Sequence, residues 1–219
     1  KADETRFEVL HVPVDGWQGV LGLQVNNRDF SAIGEEAFVP PSTTESIGVF
    51  VVEEKSFANV NVEFGIRSDT QTLGSDSLAN SLKDDTFSTS LGVLWKLHSS
   101  YSLSIALAHA QRAPNAEELL SNGPHLATQS FELGNIGLSK ESANNIDVSL
   151  RKHQGDVKFT LNAFYNSFEQ FIYEKATGNM RDGLKVFQFV QEDAIFRGLE
   201  FELDWIISDS GLGTVTLHS

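Results

Sequence analysis

The sequence contains no cysteine among its 219 residues. This absence excludes disulfide bonds, thiolate nucleophiles and cysteine metal sites. Long apolar runs are also missing, since none approaches the roughly 18 consecutive residues that a membrane-spanning helix needs. The sequence therefore excludes a spanning helix, but it leaves a spanning barrel open because barrel strands need only alternate apolar and polar residues.

Lysine and arginine are scarce. The chain has 16 Lys+Arg against 30 Asp+Glu, a formal net charge of -14 at pH 7. Because the phosphate backbone would repel such a chain, no nucleic-acid partner is expected. The start of the chain, from Lys1 to Glu4, has neither the positive region nor the apolar region of a signal peptide. This is the expectation for a mature or excised segment.

Alternation of apolar and polar residues is the strongest pattern in the chain. From Tyr101 to Ala108, large apolar residues occupy the odd positions and serine or alanine the even ones. Such spacing places the two sets on opposite faces of a strand. The pattern predicts an all-β fold, an antiparallel up-and-down meander of about ten strands, with one helical turn near Asn115 to Leu120. The predicted strands lie roughly at 4–12, 17–30, 46–54, 57–68, 86–98, 101–111, 142–153, 156–171, 186–207 and 212–219.

The predicted connections alternate between short and long. Long ones fall at about 31–45, 69–85, 112–141 and 172–185. Consecutive antiparallel strands place alternate connections at opposite ends of the sheet, so all long loops would lie at one end. Outer-membrane barrels have this asymmetry, with short periplasmic turns and long extracellular loops. A soluble β-sandwich also alternates, but it gives no reason for segregated loop lengths.

In such a transmembrane β-barrel, the apolar face of the sheet would meet outer-membrane lipid and the charged face would line a wet lumen. The charged residues predicted for the lumen are Glu63, Arg67, Asp147, Arg151, Glu200, Glu202 and Asp204. Aromatic residues near the predicted strand ends suit interfacial girdles, although ordinary sheet packing would explain each of them equally well. These aromatic residues are Trp17, Phe30, Trp95, Tyr101, Tyr165, Tyr173 and Trp205.

From Arg112 onward, the sequence contains an Arg-x-Pro step, a Glu-Leu pair, a Gly-Asn…Leu…Glu segment and a later Gly-x-Glu-x-Glu strand. In this order and spacing, these motifs resemble the barrel of TonB-dependent outer-membrane receptors. The resemblance covers about 100–207 strongly and 16–55 loosely. The residues that match the family motifs are Arg112, Pro114, Glu118, Leu119, Gly134, Asn135, Glu141, Gly198 and Glu200.

The resemblance implies a transporter of the bacterial outer membrane that takes up a metal ion or metal chelate through a plugged barrel. Its partners would be outer-membrane lipid, the metal or chelate, and TonB, which relays energy and would act through an N-terminal region. Because the family has a barrel of about 22 strands, residues 1–219 are expected to be a barrel segment without the plug domain and the remaining strands. The two open edges of a lone segment would invite closure or dimerisation.

Within the family, residues 123–132 and 33–41 most resemble the zinc-uptake branch, in which loop histidines and acidic residues capture the metal. Zinc takes three or four ligands from such side chains. A loop residue without a ligand role remains the alternative for His125, because no compact ligand spacing is present. Zinc would be the transported substrate. The candidate ligands are His125, Glu117, Glu118 and Glu132, with Glu35 and Glu36 from a neighbouring loop.

Enzymatic activity is not expected. The sequence has no nucleophile elbow, no phosphate-binding P-loop and no dinucleotide fingerprint. Two other functions remain open from the sequence: a passive outer-membrane porin or adhesin barrel, and a soluble β-sandwich binding module.

Overall fold

The computed structural model describes residues 1–32, 34, 37–210 and 213–218. Within these residues, twelve strands form one sheet. The elements are β1 (Ala2–Leu10), β2 (Trp17–Phe30), β3 (Ser42–Phe57), β4 (Val60–Ser75), β5 (Leu82–His98), β6 (Tyr101–Arg112), α1 (Ala116–Leu120), β7 (Asn122–His125), β8 (Ser130–Leu133), β9 (Glu141–Lys152), β10 (Val157–Arg181), β11 (Leu184–Ser210) and β12 (Gly213–His218).

The sheet is a meander with one excursion. Strands β1 to β6 follow each other in order, β9, β10 and β11 continue the sheet, and β8 and β7 lie beyond β11. All neighbours are antiparallel except β8 and β11, which run parallel from the Lys185–Ser130 pair to the Gln188–Leu133 pair. The C-terminal part of β11 pairs with β12. The prediction of an all-β, mostly antiparallel meander is confirmed, and the single sheet contradicts the β-sandwich alternative.

The structure has two short strands beyond the ten predicted spans, because the segment 112–141 is not an open loop. It contains α1, at the place of the predicted helical turn, and then β7 and β8. These two strands have only four residues each, too few for an alternating pattern to show. They form because they pair with each other, and β8 also pairs with β11, which satisfies backbone groups inside the segment.

The predicted long loop at 172–185 is also wrong. Strand β10 continues to Arg181 and β11 begins at Leu184. Both turn residues have positive φ, 53° at Asp182 and 79° at Gly183, as a two-residue type I′ hairpin requires. The hairpin therefore replaces a loop by paired strands. A bulge between Phe168 and Phe171 divides β10 into a lower and an upper part.

The two faces of the sheet differ in polarity. Apolar side chains such as Leu21, Val49 and Leu107 are exposed on one face. On the other face, Phe50 is buried between two guanidinium groups, with Arg6 Cζ at 4.5 Å and Arg67 Cζ at 5.6 Å from its ring centroid. Among the described residues, no helix has the length and apolar character needed to cross a membrane.

A buried apolar cluster fixes α1 to one end of the sheet. Leu119 and Leu120 of α1 pack with Leu73 of β4, and Leu82 of β5 covers them. Burying each leucine contributes about 1.5–3 kcal/mol. The end of the sheet that carries α1 is therefore anchored firmly enough to hold side chains in place.

Candidate metal centre

The first device that positions the site is the N-terminus of α1. Asn115 Oδ1 accepts from the backbone N–H of Glu118 at 2.9 Å, and Glu118 Oε2 accepts from the backbone N–H of Asn115 at 2.8 Å. This reciprocal pair is a capping box. It turns Glu118 inward, where it is buried, and leaves Glu117 exposed.

Arg112 then joins α1 to two strands. Its guanidinium donates to both carboxylate oxygens of Glu118, at 2.9 and 3.0 Å, and to Glu141 Oε2 at 3.2 Å. The same Glu141 oxygen accepts from the backbone N–H of Ile172 on β10 at 2.8 Å. A forked guanidinium can make several such charge-assisted bonds at once. Arg112 thus binds both carboxylate oxygens of Glu118. Glu118 belongs to this network and not to the cluster of candidate metal ligands.

The remaining motif residues fold the segment back over α1. Gly134 N–H donates to Ser121 O at 2.6 Å, and Asn135 N–H donates to Glu118 O at 2.9 Å. A Cβ at position 134 would lie 2.6 Å from the backbone of Leu119, so only glycine fits there. Pro114 is fully buried beneath this fold.

Two motif residues act elsewhere in the sheet. Gly198 lies opposite Phe164, whose ring would be 2.7 Å from a Cβ at position 198. Glu200 pairs with Asn162 two positions along the same face. Both positions lie in the paired part of β10 and β11 below the bulge.

The β7–β8 hairpin brings His125 and Glu132 together. His125 Nδ1 donates to Glu132 Oε1 at 2.7 Å. The hydroxyls of Thr128 and Ser130 also donate to Glu132 Oε1, each at 3.0 Å. From the loop between β2 and β3, Phe38 stacks on the imidazole with ring centroids 4.5 Å apart.

Glu117, His125 and Glu132 form a cluster that could hold a metal ion. One ligand atom from each lies within 4.8 Å of the others. Glu132 is only 2% exposed, and its second oxygen, Oε2, is buried without a hydrogen-bond donor. Burying a carboxylate oxygen without a hydrogen-bond donor costs free energy. A cation bound to Oε2 would offset this cost and explain the arrangement.

Glu174 completes the electrostatics of this cluster. It lies in the upper part of β10, after the bulge between Phe168 and Phe171. Although the residue is exposed, partial burial of its carboxyl raises the pKa of Glu174, and the charges of Glu132 and Glu117 raise it further. A bound cation would offset the same negative charges.

Sequence reasoning missed Glu174, since it falls in the segment predicted as a long loop and matches no motif. Of the proposed ligands, the structure brings His125, Glu117 and Glu132 together. Glu35 and Glu36 lie outside the described residues. The carboxylates of Glu117 and Glu132 and the imidazole of His125 form a ligand set suited to a divalent cation of the first transition series.

The fold has solved counterparts, and the three described below are each under one fifth identical to this chain in sequence. The chain is similar to the copper transporter OprC, with 14% identity and a TM-score of 0.78 over 94% of this chain and 35% of that chain. It is also similar to a double mutant of the Serratia marcescens hemophore receptor HasR, solved with its hemophore HasA and heme. There the identity is 16% and the TM-score 0.70, over 99% of this chain and 40% of that one.

A third counterpart is the FrpB iron transporter from Neisseria meningitidis (F3-3 variant), with 14% identity and a TM-score of 0.69 over 94% of this chain and 33% of that chain. The chain thus spans 33% to 40% of the length of these three structures. The family model described as TonB dependent receptor-like, beta-barrel, matches residues 3–217, and the chain belongs to this family.

Proposed function

We propose that this chain is a barrel segment of a TonB-dependent transporter in the bacterial outer membrane, and that the transporter captures a divalent metal ion, zinc in preference. Capture takes place at Glu117, His125 and Glu132, with Glu174 as a fourth acidic group. The metal is the transported substrate and not a resident cofactor.

The observation that carries the proposal is the free oxygen of Glu132. Three donors already satisfy Oε1, from His125, Thr128 and Ser130. Oε2 is buried and has no donor. The hydroxyls hold the carboxylate in a fixed orientation, which is the usual role of groups that surround metal ligands. Oε2 of Glu132 is therefore held in place with its lone pairs available to a metal ion.

The chemistry of the donors favours zinc over calcium or magnesium. Calcium and magnesium prefer oxygen ligands alone, whereas an imidazole nitrogen beside carboxylates suits zinc and copper. The chain has no cysteine, and the cluster contains no methionine, so it offers no sulfur ligand. Soft Cu(I), which prefers sulfur ligands, is therefore disfavoured at this cluster. Zinc and Cu(II) are the two ions to compare, with zinc expected to be the physiological one.

The rest of the function follows from the family. The apolar face of the sheet meets lipid, and the edge strands β1 and β12 pair with further strands of the barrel. The metal held at the α1 end of the sheet then passes into a plugged lumen, driven by TonB. Membrane location, plug and TonB are parts of the proposal.

The experiment measures zinc binding to the full-length receptor in detergent by calorimetric titration. His125→Ala and Glu132→Gln should each weaken binding at least about tenfold, as loss of even an orienting partner does in metal sites. His153→Ala is the matched control, because His153 contacts the carbonyl of Ser99 in the turns at the opposite end of the sheet. Unchanged binding by both site variants, or an equal loss in the control, would overturn the proposal. A parallel titration with Cu(II) decides between the two metals.

A further inference from the structure

The apolar face of the sheet ends in aromatic residues where the turns are short. At the end opposite α1, residues 58–59 join β3 to β4 and residues 99–100 join β5 to β6. Near this short-turn end, Trp17 lies four positions before Leu21 on β2, and Lys55 lies six positions after Val49 on β3. Even spacing along a strand keeps residues on one face, so Trp17 and Lys55 share the apolar face. The other two tryptophans of the chain, Trp95 and Trp205, lie near the same end.

Two aromatic rings hold the ammonium group of Lys55. Its Nζ lies 5.6 Å from the ring centroid of Trp17 and 5.2 Å from that of Phe57. Trp17 is itself fixed by an edge contact with Phe64, with ring centroids 5.7 Å apart. Aromatic rings attract cations through the negative charge of their faces. Over the described ranges of the chain, no carboxylate forms an ion pair with Lys55, so a positioned cation is left without an anion.

The carboxylate closest in sequence on this face already has a partner. Glu53 lies two positions before Lys55, and His11 Nε2 lies 3.0 and 3.1 Å from its two oxygens. His11 Nδ1 lies 2.8 Å from the carbonyl oxygen of Val12. Because both ring nitrogens face acceptor oxygens, the arrangement fits an imidazolium that donates to both. His11 thus offsets the charge of Glu53, and the positive charge of Lys55 remains unbalanced.

We propose that Lys55, between Trp17 and Phe57, binds the phosphate of an anionic phospholipid headgroup in the periplasmic leaflet of the outer membrane. The inference goes beyond metal capture and rests only on the membrane location of the barrel within the proposed function. Tryptophan rings lie at the headgroup level of a bilayer, and a lysine there is attracted to anionic lipid. The acyl chains then extend along exposed apolar side chains such as Leu21 and Val49.

Charge selects the class of lipid. The phosphate of phosphatidylglycerol has no cationic group beside it, so Lys55 attracts the whole headgroup. A phosphatidylcholine headgroup also carries a quaternary ammonium, which Lys55 and the imidazolium of His11 repel. The site therefore distinguishes the two lipids by charge, although both have a phosphate and similar acyl chains.

The experiment places the full-length receptor in nanodiscs of phosphatidylcholine that contain a minor fraction of brominated phosphatidylglycerol or brominated phosphatidylcholine. Bromine on the acyl chains quenches nearby tryptophan fluorescence, and subtracting the signal of the same protein with Trp17→Phe isolates Trp17. Brominated phosphatidylglycerol should quench Trp17 as if it were enriched about fivefold over brominated phosphatidylcholine, as expected for one lysine near a membrane surface. Lys55→Gln should remove this preference, and Lys55→Arg should keep it.

Lys96→Gln is the matched control. Lys96 follows Trp95 in sequence, so it lies near the same end of the sheet on the opposite face, and its loss should leave the preference unchanged. Excess inorganic phosphate, compared with sodium chloride at equal ionic strength, should not displace the lipid, because free phosphate makes no acyl-chain contacts.

The outcomes separate the lipid site from the metal site. Equal quenching by the two brominated lipids in wild type, an unchanged preference in Lys55→Gln, or the same loss in Lys96→Gln would each overturn the lipid site. Displacement by inorganic phosphate would overturn the lipid as its occupant. A receptor that inserts into nanodiscs and prefers phosphatidylglycerol but does not bind zinc would keep the lipid site while the metal proposal fails. If the receptor does not insert at all, the membrane location fails and the lipid site fails with it.

Discussion

Phe38, in the loop between β2 and β3, stacks on His125 of β7, with ring centroids 4.5 Å apart and ring planes 20° from parallel. The backbone supports the contact, because Phe38 O accepts from the N–H of Asn122 at 2.7 Å. The stack holds the imidazole on one side while Glu132 holds Nδ1. The loop between β2 and β3 is in this way coupled to the candidate metal centre on the β7–β8 hairpin.

Phe38→Ala should weaken zinc binding about three- to tenfold, because the freed imidazole loses part of its orientation before the metal arrives. Phe38→Tyr keeps the ring and should bind as wild type does. Leu126→Ala removes an exposed apolar side chain next to His125 and serves as the control. Calorimetric titration checks all three. Wild-type affinity in Phe38→Ala would show that the stack does not position the ligand.

Gly134 offers a test of how the motif folds the segment back over α1. Gly134→Ala places a Cβ 2.6 Å from the backbone of Leu119, and such overpacking costs about 1–3 kcal/mol. Gly74→Ala is the matched control, since its nearest neighbour would be 4.0 Å away, and it should change stability by less than about 0.5 kcal/mol. Chemical unfolding in detergent compares the two variants. Equal stability would mean that the backbone at Gly134 can shift freely.

The fold was predictable where alternation is long and unbroken. Strands such as β6 have a side-chain period of two, and the predicted span of 101–111 differs by one residue from the observed Tyr101–Arg112. Prediction failed where pairing depends on distant partners. The upper part of β10 carries charged and small residues after Tyr173, so nothing local distinguishes it from a loop, and only pairing with β11 makes it a strand.

The site was predictable from residue type only in part. His125, Glu117 and Glu132 share one segment, which the sequence predicts as a single long connection. Glu118 could not be separated from Glu117 by sequence, since the capping box decides which of the two turns inward. Glu174 comes from another strand, 42 residues beyond Glu132, in a segment that the sequence predicts as a loop.

Arg112 should be more important for holding the segment than for binding metal directly. Arg112→Gln leaves the buried carboxylates of Glu118 and Glu141 without a cation, and each lost charge-assisted bond costs roughly 1.5–3 kcal/mol. Since the guanidinium is 43% exposed, a net local loss of about 2 kcal/mol is expected. Hydrogen exchange of residues 113–140 should accelerate, while exchange in β3 should not change.

Arg112→Lys tests whether the forked shape of the guanidinium, and not only its charge, stabilises the segment 113–140. A lysine keeps the charge but cannot donate to both oxygens of Glu118 and to Glu141 together. It should therefore recover less than half of the protection. Arg151→Gln is the control for net charge and should leave exchange in the segment as in wild type. If Arg112→Lys protected the segment from hydrogen exchange as fully as wild type does, the charge of Arg112 alone would account for the stabilisation.

The raised pKa of Glu174 makes the metal-free site sensitive to pH. Burial of the carboxyl, together with Glu132 and Glu117, favours the protonated form in the folded state. The stabilisation is complete below the pKa of Glu174 in the unfolded chain, and it is lost as pH rises through the raised pKa of the folded state. Without metal, the β7–β8 hairpin should thus be better protected from hydrogen exchange at about pH 4 than at about pH 7.

Glu174→Gln should remove much of this dependence, because a neutral amide carries no charge to repel Glu132 at either pH. Glu169→Gln changes an exposed glutamate lower on the same strand and should behave as wild type. Exchange rates corrected for the intrinsic effect of pH provide the measurement. Zinc should restore protection at neutral pH in wild type, since the cation neutralises the same carboxylates, and excess chelator should reverse it. Equal pH dependence in Glu174→Gln and wild type would show that Glu174 is not the group responsible for it.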